Sequence, residues 1–383
     1  MKKKWISALL CTAMLATLLT GCGSSSTSKD DTSSTNDSST VSDEGTTDSG
    51  SSDASSEEGK GRVGVAMPTK DLQRWNQDGE NMKAELEKAG YTVDLQYANN
   101  DVGTQVSQIE TLISNGANVL VIASIDGESL GDPLSKAKEA DIPVIAYDRL
   151  LMNSDAVSYY ATFDNYMVGT KQGEYIRDQL DLDNAKGPFN MEVFTGDPGD
   201  NNAKFFYNGA MDVLNPYIDA GKIVVKSGSV DFQDVATANW STETAQSRMD
   251  AILASNYADG TKLDAVLCSN DSTALGVENA LAAYTGEWPI ITGQDCDIAN
   301  TKNIIAGKQS MSIFKDTRTL AAQTVKMVDA IMSGQDAEVN DTTSYDNGTG
   351  IIPTFLCEPQ YVDNSNYKEL LIDSGYYTED QLK

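Results

Sequence analysis

Short apolar runs alternate with amphipathic stretches along most of this chain, and that alternation leaves few folds open. Residues 63–67 (Val-Gly-Val-Ala-Met) form an apolar run of strand type, and 74–89 follow with Met82, Leu86 and Ala89 at helical spacing before Gly90. Helical periodicity places apolar residues every three or four positions, and a glycine just past the last of them is a common terminator. Residues 92–97 alternate as a strand, Val106, Ile109, Leu112 and Ile113 mark a helix ended by Gly116, and 119–123 is continuously apolar. An apolar run without alternation is what a strand covered on both faces requires. Residues 129–140 read as helix and 143–147 as strand. The unit recurs every roughly thirty residues, the length of a βαβ crossover, so a parallel sheet wound with helices on both faces is expected.

The pattern then restarts. Strands are expected at 190–194, 223–226, 265–268 and 289–292, with helices at 203–214, 244–253 and 272–284. The fold class is therefore α/β, with two similar, doubly wound parallel-sheet lobes. A length of 383 residues accommodates two domains, and 40% hydrophobic residues suffice for their cores.

In open parallel sheets, ligands bind beyond the carboxyl ends of the strands. The segments there are rich in Asp, Asn, Gln and Arg: Arg74 and Trp75 after the first strand, Asp126 after the third, then Asp148 and Arg149, then Asp200, Asn201 and Asn202, then Asn270 and Asp271, then Gln294 and Asp295. Trp240 is a second tryptophan in the same set of loops. A sugar presents hydroxyls that both donate and accept, which Asp, Asn and Arg match, and an apolar C–H face that packs on an aromatic plane. Each residue also has a plainer role. Asp271 could cap the next helix, Asp148 and Arg149 could be a surface ion pair, the tryptophans could be core, and Asn201 and Asn202 could be a turn. Their convergence at strand ends, rather than any one motif, carries the reading.

Charge narrows the partners. Lys and Arg number 28 against 57 Asp and Glu, a formal net charge of −29, which argues against nucleic acid. Histidine is absent, which removes Ser-His-Asp and Cys-His catalysis and His-ligated zinc. No metal or organic cofactor is implied.

The first sixty residues read as an address and a tether. Lys2, Lys3 and Lys4 precede an apolar run from Trp5 to Leu19, too short and interrupted for a spanning helix of roughly 20 residues. Leu19-Thr20-Gly21-Cys22 resembles the lipobox of bacterial lipoproteins, in which the peptide is cut before the cysteine and the cysteine is acylated. An ordinary signal peptide with an accidental cysteine is the alternative. Residues 23–60 are mostly Ser, Thr, Asp, Gly and Glu, too polar to offset the entropy of ordering, and read as a solvated acidic leash. Of the remaining cysteines, Cys268, Cys296 and Cys357 are an odd number without C-x-x-C spacing, so no disulfide framework is expected. Cys268 reads as a buried small hydrophobe, and whether Cys296 and Cys357 meet is open.

From Arg62 to Lys383 the chain resembles the type 1 periplasmic binding proteins, the monosaccharide receptors of ABC importers, and most of all the multiple-sugar-binding receptors, with the xylose-binding receptors next. The resemblance is carried by Val65-Ala-Met-Pro-Thr-Lys70, Val121-Ile-Ala-Ser-Ile-Asp-Gly127, Val144-Ile-Ala-Tyr-Asp-Arg149 and Val157-Ser-Tyr-Tyr-Ala-Thr-Phe-Asp-Asn165, together with Asp200-Asn-Asn-Ala203, Gly293-Gln-Asp295 and Ile313-Phe-Lys-Asp316. It implies that Arg74, Trp75, Asp148, Arg149, Asn202, Trp240, Asn270, Asp295 and Lys315 contact the sugar, with Asp126 close by. Asn239 departs from the family's pattern, in which a basic residue precedes the tryptophan. The resemblance further implies a hinge of chain crossings, with residues 61–163 and 297–343 in the first lobe and 164–296 and 344–383 in the second, preceded by a signal peptide (1–21) and the lipidated tether (22–60).

The expected activity is that of a monomeric, non-enzymatic receptor on the outer face of the cytoplasmic membrane. It would capture a monosaccharide (xylose, arabinose, glucose or galactose) and deliver it to an ABC permease. A sensor presenting its closed form to a membrane receptor is the alternative. An exported glycosidase using Asp148 and Asp295 as a carboxylate pair is a third reading. A sugar-responsive transcription factor is set aside by the export signal and by the lack of a DNA-binding segment before Val63.

Overall fold

The computed structural model describes residues 59–383; the expected signal peptide, Cys22 and nearly all of the expected tether lie outside them. Among the described residues no helix is long and apolar enough to cross a membrane.

The first lobe is built on β1 (Arg62–Met67), β2 (Thr92–Tyr97), β3 (Val119–Ile122), β4 (Val144–Tyr147) and β5 (Val157–Phe163), with α1 (Gln73–Lys88), α2 (Val102–Ser114) and α3 (Gly131–Glu139) between them. The strands pair in parallel in the order β2-β1-β3-β4-β5. The expected double coverage is visible residue by residue. Val119 and Val121 of β3 enter one apolar cluster and Leu120 and Ile122 another, because successive strand residues point to opposite faces.

The second lobe begins with α4 (Asn165–Gln179), then β6 (Phe189–Phe194), α5 (Asn201–Asp219), β7 (Ile223–Val225), a short α6 (Phe232–Val235), α7 (Thr242–Asn256), β8 (Ala265–Cys268), α8 (Asp271–Leu281) and β9 (Ile290–Ile291). Its parallel sheet runs β7-β6-β8-β9, the same winding as β2-β1-β3-β4. After α9 (Ile298–Ile305), β10 (Met311–Phe314) continues this lobe through the parallel bridge of Ile313 with Gln294.

The lobe boundaries differ from the expectation. Residues 297–314 were expected in the first lobe, but α9 packs on α8 and β10 beside β9, both in the second. The chain returns only at α10 (Thr317–Met332), which packs on α1 and sends Leu320, Ala321, Val325 and Val328 into the core shared with β1. Residues from 344 were expected in the second lobe, but β11 (Thr354–Cys357) pairs in parallel with β5. Only then does β12 (Gln360–Asp363) cross back, antiparallel to β10. Three crossings result, at Phe163–Asp164, Phe314–Thr317 and Cys357–Gln360. Which sheet edge a strand joins is settled by long-range pairing, which local periodicity does not encode.

The apolar alternation also passes over α4. That helix carries little apolar stripe because it meets α5 through glycine: a Cβ on Gly169 would stand 1.9 Å from the Phe206 carbonyl oxygen. Cys268, Cys296 and Cys357 are all buried free thiols.

Candidate functional site

Every expected contact except Asp126 lines a single cavity between the lobes, the kind of concave site, with convergent polar groups beside aromatic walls, that small ligands occupy. The winding brings the carboxyl ends of both sheets to this cleft.

Arg74 and Trp75 open α1. Arg74 is buried and meets three carboxylates: Nε donates to Asp78 Oδ2 at 2.7 Å, Nη2 to Asp148 Oδ1 at 2.5 Å and Nη1 to Asp295 Oδ1 at 3.1 Å. Asp295 comes from the second lobe, so this guanidinium spans the cleft. Burial alone would lower the Arg74 pKa, but Asp148, Asp78 and Asp295 hold it well above its usual value. Asp78 lies behind the site, one helical turn on, and also accepts from Tyr147 Oη at 2.5 Å. Burial pushes its carboxyl up to about 6 in spite of Arg74.

Asp148 and Arg149 follow β4, but they are not a pair. Asp148 is in the left-handed region, φ 58°, which turns the two side chains apart. Its carboxylate takes Arg74 and, at 3.8 Å, Lys315; burial works against ionisation, yet these cations hold it at about 2. Its carbonyl oxygen accepts from Tyr160 Oη at 2.6 Å, Thr162 Oγ1 at 2.9 Å and Asn202 Nδ2 at 2.5 Å, the last from the other lobe. Arg149 donates Nη1 to the Ser124 carbonyl at 2.9 Å and lies 4.9 Å over the Trp75 ring. Its Nε sits 2.9 Å from Asp200 Oδ2, close enough for an ion pair although the N–H is not aimed at the oxygen.

The second lobe supplies the facing wall. Asp200 caps α5, accepting from Asn202 N at 3.0 Å, and its other oxygen takes Trp240 Nε1 at 3.2 Å. Trp240 lies in a tight 3-10 turn, with its ring edge-on to Phe206 at 6.1 Å. Both tryptophans are nearly buried, as the plainer core reading would have it, yet both line the cavity. Asn270, not Asp271, caps α8: its side chain accepts from Thr273 N at 3.0 Å in a capping box. Lys315, at the second crossing, is buried with Nζ 3.2 Å from Asp295 Oδ1.

Asp126 stands apart. It sits half-buried at the rim, where Oδ1 accepts from Glu128 N at 2.8 Å in a local turn, facing Gly199 of the other lobe. Conversely, Leu72, Asp200, Phe206, Ser272, Gln294 and Asp297 line the cavity without having been singled out as contacts. Asp200 and Gln294 follow strands just as the expected residues do, and Phe206 lies one turn along α5 from Asn202, so position was the available signal. Burial, with the Asp295 carboxylate beside it, pushes Asp297 up to about 7.

The chemistry of the cavity follows from this pairing. Arg74, Arg149 and Lys315 are each engaged by carboxylates, so no cation stands free for an anionic ligand, while carboxylate oxygens remain as acceptors. The arrangement suits a small neutral polyol that donates many hydrogen bonds and stacks on indole. The Asp148–Asp295 pair suits general acid catalysis poorly. Asp148 is ionised far below neutrality, and both Asp148 and Asp295 are bound to the same guanidinium. Among the described residues no cluster of three or more Cys, Asp or Glu is arranged to hold a metal ion.

The periplasmic binding protein domain model matches residues 63–336. The chain is 52% identical over 329 residues to the multiple sugar-binding periplasmic receptor ChvE of Rhizobium radiobacter, covering 85% of this chain and 93% of that protein. It is 35% identical over 322 residues to the D-xylose-binding periplasmic protein of Escherichia coli (strain K12), covering 84% and 92%. A solved ABC transporter solute binding protein from Clostridium phytofermentans, with bound β-D-glucose, is 77% identical with a TM-score of 0.83, covering 84% of this chain and all of that one.

Proposed function

The chain belongs to the periplasmic binding protein family, and on that premise we propose that it is an extracytoplasmic receptor that encloses one neutral aldose and delivers it to an ABC importer. D-Glucose is the first ligand to expect, since a protein 77% identical was solved with it, and D-xylose the second. The two differ by one exocyclic hydroxymethyl group, so a site built on ring hydroxyls accepts both.

The observation that carries this reading is the Arg74 guanidinium, held by Asp148 of one lobe and Asp295 of the other at the floor of a cavity walled by Trp75 and Trp240. A ligand touching both walls favours the closed form by its differential affinity for it. The three crossings are the hinge of that motion, and the closed shape is what the permease reads.

Cys22 is the proposed anchor, acylated after removal of residues 1–21, with the acidic segment to residue 60 as the tether. Several acyl chains on one residue hold firmly where one alone binds marginally. A Cys22→Ser variant is expected in the soluble fraction instead of the membrane.

Calorimetric titration with D-glucose, D-xylose, D-galactose and L-arabinose tests the reading. Heat is expected with at least glucose and xylose, with a negative heat-capacity change from closure over the rings. No heat with any of the four would sink it.

A further inference from the structure

Asp271 touches no part of the cavity, yet it is completely buried directly behind it. It is the first residue of α8, but Asn270 already caps that helix, and the Asp271 carboxylate is turned away toward the loops of β9 and β10. Oδ2 accepts from Asp297 N at 2.8 Å, and Oδ1 accepts from Gln309 Nε2 at 2.9 Å and Ser312 Oγ at 2.8 Å. Ser312 Oγ in turn accepts from Cys296 N at 3.1 Å. The two backbone N–H groups that follow Asp295 are thus tied, one directly and one through Ser312, to a single carboxylate.

The turn they belong to needs such a tie. Asp295 and Cys296 have φ of 97° and 51°, consecutive non-glycine residues in a region that side chains disfavour. Such conformations persist only where the surroundings over-determine them, and they cluster at ligand sites. The contact with the turn is close: a Cβ on Gly293 would stand 2.1 Å from Asp271 Oδ1. The three groups facing the carboxyl are all donors to its oxygens, while burial and the Asp297 carboxylate push its pKa well above the usual value; an amide would set its own N–H₂ against one of the three.

We propose that Asp271 is a positioning residue of the sugar site, which holds the turn after β9 in the conformation that presents Asp295 to Arg74, Lys315 and the ligand. This rests on the reading of the cavity as an aldose site. Loss of the tie lets the turn relax, so Asp295 is no longer held against the ligand, and the expected consequence is faster release of sugar.

A double-mutant cycle on the purified full chain tests this, with D-glucose as the probe, affinity by calorimetry and the melting temperature of each variant recorded. Asp271→Asn is expected to weaken glucose binding by about tenfold or more. In an Asp295→Ala background the same substitution is expected to add less than about threefold, because residues acting through one another are not additive. A purely structural role would lower the melting temperature and weaken binding equally in both backgrounds, and that result overturns the proposal, as does an Asp271→Asn protein binding glucose like the wild type. Ser312→Ala removes one donor to Asp271 and the acceptor of Cys296 N, and carries the same cycle should Asp271→Asn fail to fold. A wild type that takes no aldose overturns the functional reading and this proposal with it; a wild type that binds glucose with an additive cycle overturns this proposal alone.

Discussion

Arg149 of the first lobe and Asp200 of the second meet across the cleft, 2.9 Å apart, and the Asp200 oxygen that faces the guanidinium also holds the Trp240 indole at 3.2 Å. One carboxylate therefore joins the lobes and fixes an aromatic wall. Asn202, in the same first turn of α5, also joins the lobes, donating to the Asp148 carbonyl at 2.5 Å while its Oδ1 accepts from Tyr160 Oη at 3.0 Å. The two lobes are thus held together partly by protein groups.

Removing this fastening should open the molecule. Asn202→Ala and Asp200→Ala are expected to raise the radius of gyration of the sugar-free protein in small-angle scattering. Asp200→Ala should also weaken glucose binding about ten- to hundredfold, the worth of a hydrogen bond to a charged group, and Asn202→Ala about two- to tenfold, the worth of a neutral one. Unchanged scattering and unchanged affinity together would refute the fastening.

The ion pairs at the floor should matter more than the rim. Asp295→Ala removes the carboxylate shared by Arg74 and Lys315, and Arg149→Ala leaves the buried Asp200 without its cation; each is expected to cost about 2–5 kcal/mol and at least roughly thirtyfold in affinity. Asp126→Ala, whose carboxylate only closes a local turn with Glu128 N, is expected to stay within about twofold. Calorimetry on the three variants checks the ranking, and an Asp126 effect as large as that of Asp295 would reverse it.

A methyl group can test the Trp240 wall without removing any polar side chain. A Cβ on Gly196 would stand 2.0 Å from the Trp240 ring carbons Cη2 and Cζ2. Gly196→Ala therefore has to displace the indole, and glucose affinity should fall more than about tenfold with a change in tryptophan fluorescence. Overpacking of this kind also costs roughly 1–3 kcal/mol in stability. Normal affinity would mean that Trp240 does not contribute to the site.

Stability should depend on pH in two opposite ways. Histidine is absent, so the side chains that titrate between about pH 5 and 8 are buried carboxyls with raised values. Burial raises Asp297 to about 7, Glu278 to about 7 and Asp78 to about 6. Between their unfolded and folded values these groups bind more protons when folded, so stability falls as pH rises from about 4 to about 7. Asp148, held at about 2 by Arg74 and Lys315 against the effect of burial, contributes the opposite: stability fully present above about 4 and lost as pH falls toward 2. Calorimetric melting of the sugar-free protein should show a higher melting temperature near pH 5 than near pH 8 and a fall below pH 4. Asp297→Asn should flatten the upper limb, and an unchanged upper limb would rule that carboxyl out as its source.

How far the sequence could be read varies element by element. The run at 119–123 read as a strand covered on both faces, and its residues divide alternately between two cores. The strand expected at 289–292 shrinks to Ile290–Ile291, because pairing with β8 spans only those residues. Helix α4 escaped because its packing uses glycines, which leave no hydrophobic signature. Asp297 escaped because a carboxylate in a loop looks alike whether it faces a cavity or water; Asp200 was noted at its strand end but not singled out as a contact.

The apolar periodicity by itself determined the type and order of most elements, and with them the α/β class, because it reports on each segment's own two faces. Tertiary structure alone decided which strand closes which sheet and which charge answers which. Asp148 and Arg149 are adjacent in the chain, yet the left-handed turn at Asp148 sends one to Arg74 and Lys315 and the other to Asp200. Those partners lie far away in sequence: the winding of the first sheet brings Arg74 within reach, and the meeting of the two sheets brings Lys315 and Asp200.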